Sequence, residues 1–228
     1  MKEKTNNLEG HRARIKEKLL RSSEGNLLDY ELLELILCYA NPRKDVKPVA
    51  KKLLEEFKSF SAIMSENNEN LEAFHGIGKS AIILLKVIKE TAVRMAKEEI
   101  QEKPILSGAN LLQKYLRTSM GNSPKELFRV LFLNKKNIII KDEILSEGTI
   151  DQVAVYPREI AKKAIIYDAS AIIMVHNHPS GYAKPSIEDI ELTKLTVASL
   201  APFGIVVHDH IIITHREYFS FKASSLLK

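Results

Sequence analysis

The run His176-Asn177-His178-Pro179-Ser180-Gly181 constrains this chain more than any other segment. It follows Ile166 to Val175, a stretch that is mostly apolar and rich in Ile and Ala. That stretch reads as a short buried strand ending at the first histidine. Side chains alternate faces along a strand, so His176 and His178 point the same way. Asp189 comes after ten intervening residues, enough for one loop and the first turn of a helix. Two imidazoles and a carboxylate that can converge, with no obvious fourth ligand, suit a catalytic zinc ion with an open water position. Iron or manganese would also accept these donors.

Each feature has a plainer reading. A histidine pair in a loop is often only polar surface. Ser186-Ile187-Glu188-Asp189 reads as a capping box, with Ser186 as N-cap and Asp189 at N3. The metal reading gains from the combination: an apolar strand delivers both histidines, Pro-Ser-Gly turns the chain at once, and Asp189 can face back from the first helical turn.

The rest of the composition narrows the class. A chain of 228 residues makes one large or two small domains. With 45% hydrophobic and 28% charged residues it reads as soluble and globular. Residues 1–100 carry 18 Lys and Arg against 16 Asp and Glu, and residues 101–228 carry 16 against 13. Neither half is basic enough for charge alone to indicate nucleic acid. Cys38 is the one cysteine, so no internal disulfide forms. The first 18 residues are charged and polar, unlike a signal peptide, and no apolar run is long enough for a membrane span. A cytoplasmic protein is expected.

Residues 11–100 show helical periodicity, with a turn at Ser22 to Asn26 and a polar loop at Glu66 to Asn70. The segment Gln101-Glu102-Lys103-Pro104 breaks the pattern, which places a domain boundary between residues 1–103 and 104–228. Beyond it a helix is expected at Asn110–Arg117. Strands Phe128–Leu133 and Ile138–Leu145 form a hairpin around Asn134-Lys135-Lys136-Asn137. An extended piece follows at Val153–Tyr156. Pro157-Arg158-Glu159 opens a helix to about Tyr167. After the histidine strand come a helix from Ser186 to Leu200, a strand from Ile205 to Thr214 and a short one over Glu217–Phe221. Strands alternating with helices make this half α/β or α+β.

Gly76-Ile77-Gly78-Lys79 lies between two predicted helices. Its glycines permit a tight turn and close backbone approach, and the amides of the next helix can meet a phosphate oxygen. The segment resembles a helix-hairpin-helix motif, which implies non-sequence-specific DNA binding through Gly76, Gly78 and Lys79. A simple helix–helix turn explains the same residues.

Over nearly its whole length the chain resembles the RadC family. The glycine turn and Ser80 resemble that family's helix-hairpin-helix region. Ser146-Glu147-Gly148-Thr149-Ile150, Pro157-Arg158-Glu159-Ile160 and the His176 to Asp189 block resemble its JAB/MPN domain, a cytidine-deaminase-like mixed sheet flanked by helices. The JAMM pattern of such domains, H-x-H-x10-D, is met without a gap. The resemblance implies a zinc metallopeptidase with His176, His178 and Asp189 as Zn2+ ligands, acting on a peptide or isopeptide bond. It gives Ser180 an oxyanion-binding or water-positioning role and requires a glutamate as general base. Glu159 is the first choice, because it opens a helix just before the metal strand, and Glu147 is the alternative. The rival reading is a DNA-binding, repair-associated protein whose metal domain is structural or acts on nucleic acid. His208 and His210 share a strand face; a second metal site or a partner hydrogen-bonded to a metal ligand is open to them, but a structural role at the strand's end is favoured, and the resemblance puts no zinc ligand there.

Overall fold

In the computed structural model, residues 2–21, 26–101, 103–105, 108–148 and 155–227 are described, with backbone alone over 2–9. Contacts divide the chain into two compact units, Met1–Thr91 and Ala92–Lys228. The turn expected at Ser22–Asn26, the Thr149-Ile150 pair and the extended piece at Val153–Tyr156 lie wholly or partly outside the described residues. So does part of the expected boundary at Gln101–Pro104.

The first unit is helical: α1 (Lys2–Arg21), α2 (Asp29–Ala40), α3 (Lys47–Phe57), α4 (Phe60–Ser65), α5 (Asn68–Ala73) and the beginning of α6 (Lys79–Glu98). Leu33, Leu37, Leu53, Ile63, Leu71, Ala81 and Leu85 form its core. Full burial of each Leu or Ile contributes roughly 1.5–3 kcal/mol. The two shortest helices depend on their caps. Ser59 Oγ accepts from Ala62 N at 3.1 Å, and Asn67 Oδ1 from Asn70 N at 2.7 Å. The second cap overturns the loop expected over Glu66–Asn70. Its asparagines read as loop residues, but one of them starts α5.

Gly76 is held in the left-handed region at φ 97°, and a Cβ there would stand 2.7 Å from Val49 Cγ2. Only glycine fits this turn. Gly78 has nothing within 4 Å of an added Cβ, and Lys79, exposed beside it, begins α6.

The second unit holds the end of α6, then α7 (Ala109–Met120), β1 (Glu126–Leu133), β2 (Ile139–Gly148), α8 (Pro157–Ile166), β3 (Ala171–Asn177), α9 (Ile187–Leu200), β4 (Val206–Ile213) and β5 (Tyr218–Ser220). The sheet runs β2-β1-β3-β4-β5. Only the β3–β4 pair is parallel, joined across α9; the other pairs are antiparallel. The expected hairpin is present. Its turn is fixed by Asn134 Oδ1, which accepts from Lys136 N and Ile138 N, and by Asn137 at φ 60°.

Strand alternation divides the core between two faces. Leu131, Leu133, Ile173, Val175, Ile211 and Ile213 pack with Leu112, Leu116 and Met120 of α7. Phe128, Val130, Phe132, Ile172 and Met174 face Ile160 and Ala164 of α8 and Leu200 of α9. This is the α+β arrangement expected, a mixed sheet with helices on both faces. The histidine strand is shorter than the apolar run implied: Ile166 closes α8, and Asp168 turns the chain at φ 50° before Ala171. The strand also runs through His176 to Asn177, and all its residues are buried.

Candidate metal centre

His176 follows Met174 by two residues on β3 and so shares its face, the one covered by α8 and α9. Ser186 caps α9 there, and Asp189 stands on its first turn. The result is a cluster of His176, His178 and Asp189, in which one donor atom from each lies within 4.8 Å of the others. His176 Nε2 is 3.0 Å from His178 Nε2 and 3.1 Å from Asp189 Oδ1. His178 Nε2 is 3.7 Å from Asp189 Oδ2.

Asp189 takes part in both arrangements open to it in the sequence, a capping box and a cluster of potential metal donors. Its Oδ2 accepts from Ser186 N and Ser186 Oγ, each at 2.8 Å, and Ser186 Oγ accepts from Asp189 N at 3.0 Å. That is a complete capping box. Burial alone would raise the carboxyl pKa. The neighbouring His176 ring and hydrogen bonding from Ser186 outweigh it and hold the group well below the usual carboxylate range. Asp189 is therefore a carboxylate at neutral pH.

The histidines are oriented by their other nitrogens. His178 Nδ1 lies 2.8 Å from Tyr182 O, a carbonyl that can only accept, so its proton sits there and Nε2 presents a lone pair. Burial, reinforced by His176, lowers the His178 pKa. His176 Nδ1 lies 2.9 Å from Nε2 of His210, which is wholly buried. Phe221 stacks on the His210 ring at 4.6 Å, and Phe128 meets it edge-on at 5.9 Å. Burial keeps His210 far below the ordinary histidine pKa, and so neutral. His208 lies apart from it, with Nε2 2.6 Å from Asn137 Oδ1. Of the readings open for this pair, His210 is a partner of the cluster and His208 fastens the hairpin turn. No second metal cluster occurs among the described residues.

The donor set fits a metal ion. Two imidazole nitrogens and a carboxylate converge, and the orientation of their remaining hydrogen bonds leaves lone pairs for a cation.

Residues 106–226 match the RadC-like JAB domain, and residues 10–83 match the UPF0758 N-terminal family. The chain belongs to the RadC family. It is 43% identical over 213 residues to a UPF0758 protein of Rhodobacter capsulatus, covering 93% of this chain and 100% of that one. A UPF0758 protein of Fusobacterium nucleatum is 42% identical over 234 residues, covering both chains fully. One from Ruegeria pomeroyi is 41% identical over 217 residues, covering 95% of this chain and 97% of that one. The RadC-like JAB domain is a JAMM-related fold, and the His-His-Asp cluster of this RadC-family chain stands where such a fold can hold a metal.

The structure separates the other site residues expected from sequence. Ser180 is exposed in the turn after His178. Glu159 sits exposed on the first turn of α8, 3.5 Å from Arg158. Glu147 lies on β2, paired with Lys125 at 2.8 Å. Among the described contacts of the cluster, neither glutamate appears.

A different carboxylate is coupled to it electrostatically. Glu126 begins β1, and the β1–β3 register, with Phe128 opposite His176, continues to place Glu126 at the level of His178. Burial raises the Glu126 pKa. His176 opposes that rise and Asp189 adds to it, so the carboxyl senses both ligands. Asn177, wholly buried between the two histidines, fixes this position. Its Oδ1 accepts from Leu127 N at 2.9 Å, and its Nδ2 donates to Lys125 O at 3.0 Å. The middle residue of the H-x-H run thus grips the peptide groups on both sides of Glu126. The signal for Glu126 in the sequence is a lone carboxylate at the mouth of an apolar strand, which has meaning only once β1 is known to pair with β3.

Proposed function

We propose that the second unit is a zinc-dependent hydrolase of JAMM type that cleaves a peptide or isopeptide bond. The convergence of His176, His178 and Asp189 within 4.8 Å carries this reading. Three protein ligands that leave an open position are characteristic of hydrolytic rather than structural zinc. When bound, the ion supplies a Lewis acid and a water acidified into the neutral range.

The chain's own residues supply the rest. His176, His178 and Asp189 hold the ion. Glu126 is the general base, in place of Glu159: it is half-buried beside the ligands, and its raised pKa suits a group that takes a proton from water and delivers it to the leaving nitrogen. Ser180, exposed in the turn after His178, is the donor toward the developing oxyanion. Ser186 is already committed to Asp189.

The test is digestion of a fluorogenic peptide and isopeptide library by the zinc-loaded chain beside Glu126→Gln and Glu159→Gln. The wild type and Glu159→Gln cleave the same members. Glu126→Gln keeps its zinc and loses about 10²–10⁴-fold in rate. A zinc-replete wild type that cleaves nothing, or a Glu126→Gln that cleaves as fast, contradicts the reading.

A second reading concerns the first unit and rests on the open backbone at Gly78 beside exposed Lys79. There we propose a contact to DNA phosphates at the start of α6. It predicts salt-sensitive duplex binding that Lys79→Glu weakens. No binding at low salt removes it.

A further inference from the structure

A hydrogen-bonded chain leads away from the metal cluster into the core and returns to it. It starts at His176 Nδ1, which lies 2.9 Å from His210 Nε2. The other nitrogen of that ring, His210 Nδ1, lies 2.6 Å from Thr193 Oγ1. The Thr193 hydroxyl donates in turn to the backbone carbonyl of Asp189 at 2.6 Å. His210 is wholly buried and Thr193 is 2% exposed, so water offers neither a substitute partner. The chain thus joins the side chain of one ligand to the backbone of another.

The direction of the protons follows from the two ends. A carbonyl can only accept, so the Thr193 hydroxyl can spend its proton on Asp189 and accept from His210 Nδ1–H. A neutral imidazole carries one N–H, so His210 Nε2 is then an acceptor and receives the Nδ1 proton of His176. His176 Nε2 is left as a bare lone pair, facing His178 Nε2 and Asp189 Oδ1. In the opposite polarity His176 would carry its proton on Nε2, pointing into the cluster, and could not ligate.

We propose that His210 and Thr193 are positioning residues that hold His176 in its metal-binding tautomer, Thr193 by giving its proton to the Asp189 carbonyl and His210 by accepting from His176 Nδ1. The inference rests on the reading of the cluster as a zinc site. A ligating histidine ordinarily donates its second nitrogen's proton directly to a carboxylate or carbonyl, as His178 does to Tyr182. For His176 the acceptor is a second imidazole, whose own tautomer must be set from beyond, and Thr193 does that.

The experiment compares zinc affinity, by chelator competition, for the wild type, His210→Phe, Thr193→Val and Thr193→Ser. Two-bond ¹H–¹⁵N spectra of histidine-labelled, zinc-loaded protein read the tautomers. His210→Phe keeps an aromatic ring between Phe128 and Phe221 and removes the acceptor. It is expected to weaken zinc binding about 10–100-fold. Thr193→Val, of nearly the same shape, weakens it in the same direction, and Thr193→Ser restores it. The wild-type spectra show the proton on Nδ1 of both His176 and His210. Zinc binding and His176 tautomer unchanged in Thr193→Val overturn the inference and leave the metal site standing. A wild type that takes up no zinc overturns the metal site and this inference with it. If His210→Phe does not fold, the Thr193 pair decides.

Discussion

Ser186 holds one oxygen of the Asp189 carboxylate and leaves the other to the cluster: Oδ2 accepts from the backbone and hydroxyl of Ser186 at 2.8 Å, and Oδ1 stands 3.1 Å from His176 Nε2. The start of α9 and the carboxylate of the candidate metal centre are therefore the same structural element. Ser186→Ala should cost about 1 kcal/mol of stability through the lost cap. It should also weaken zinc binding about 10-fold, since Asp189 loses its fixed orientation. Urea unfolding and chelator competition measure the two effects. Full zinc affinity in the variant would mean that the cap serves α9 alone.

Asn177→Ala separates the base from the metal. It removes both hydrogen bonds that flank Glu126 and no side-chain hydrogen bond of His176, His178 or Asp189. Bound zinc should remain at the wild-type level while turnover on any peptide substrate falls about 10-fold or more, because a base must be within reach before its pKa matters. Loss of zinc together with activity would show that Asn177 supports the end of β3 rather than Glu126.

The histidine strand, the turn after it and the capped helix could all be read in the residues, because period-2 and capping signals are local. The proposed base, Glu126, could not. Its placement depends on β1 lying antiparallel to β3, a pairing of distant segments that leaves no periodic trace. His210 reads as a histidine on a strand, but its link to His176 comes from the parallel β3–β4 pair across α9. Glu159, in the first turn of a helix, satisfies the helix dipole whether or not a metal is near, so its position alone does not mark a base. Glu66–Asn70 reads as a loop because asparagine serves loops and helix caps alike, and Asn67 is the cap of α5.

The glycine turn of the first unit offers a contrast within three residues. Gly76→Ala would meet Val49 Cγ2 at 2.7 Å in a backbone conformation at φ 97°. It should destabilise the chain by about 1–3 kcal/mol. Gly78→Ala meets nothing within 4 Å and should stay within about 0.5 kcal/mol. Denaturant midpoints for both variants test this, and equal midpoints contradict it.

Alkaline pH should loosen the second unit. Burial, aided by Asp209, pushes the Tyr218 phenol up to about 12. Burial also raises Tyr115, outweighing the nearby Arg129. A folded-state pKa above the unfolded value of about 10 means that the folded form binds the proton more tightly. That stabilisation is whole below about pH 10 and is lost as pH rises through the folded value near 12. Tm should fall across this window, and Tyr218→Phe should flatten the fall. A slope unchanged by the substitution contradicts the assignment.

The most direct test of the central claim is the zinc content of purified protein by elemental mass spectrometry, for wild type beside His178→Ala. About one zinc per wild-type chain, and none in the variant, is the expected result. A wild type that holds no metal after zinc is supplied and the excess removed, or a His178→Ala that holds as much as wild type, would contradict the assignment of His176, His178 and Asp189 as a metal centre.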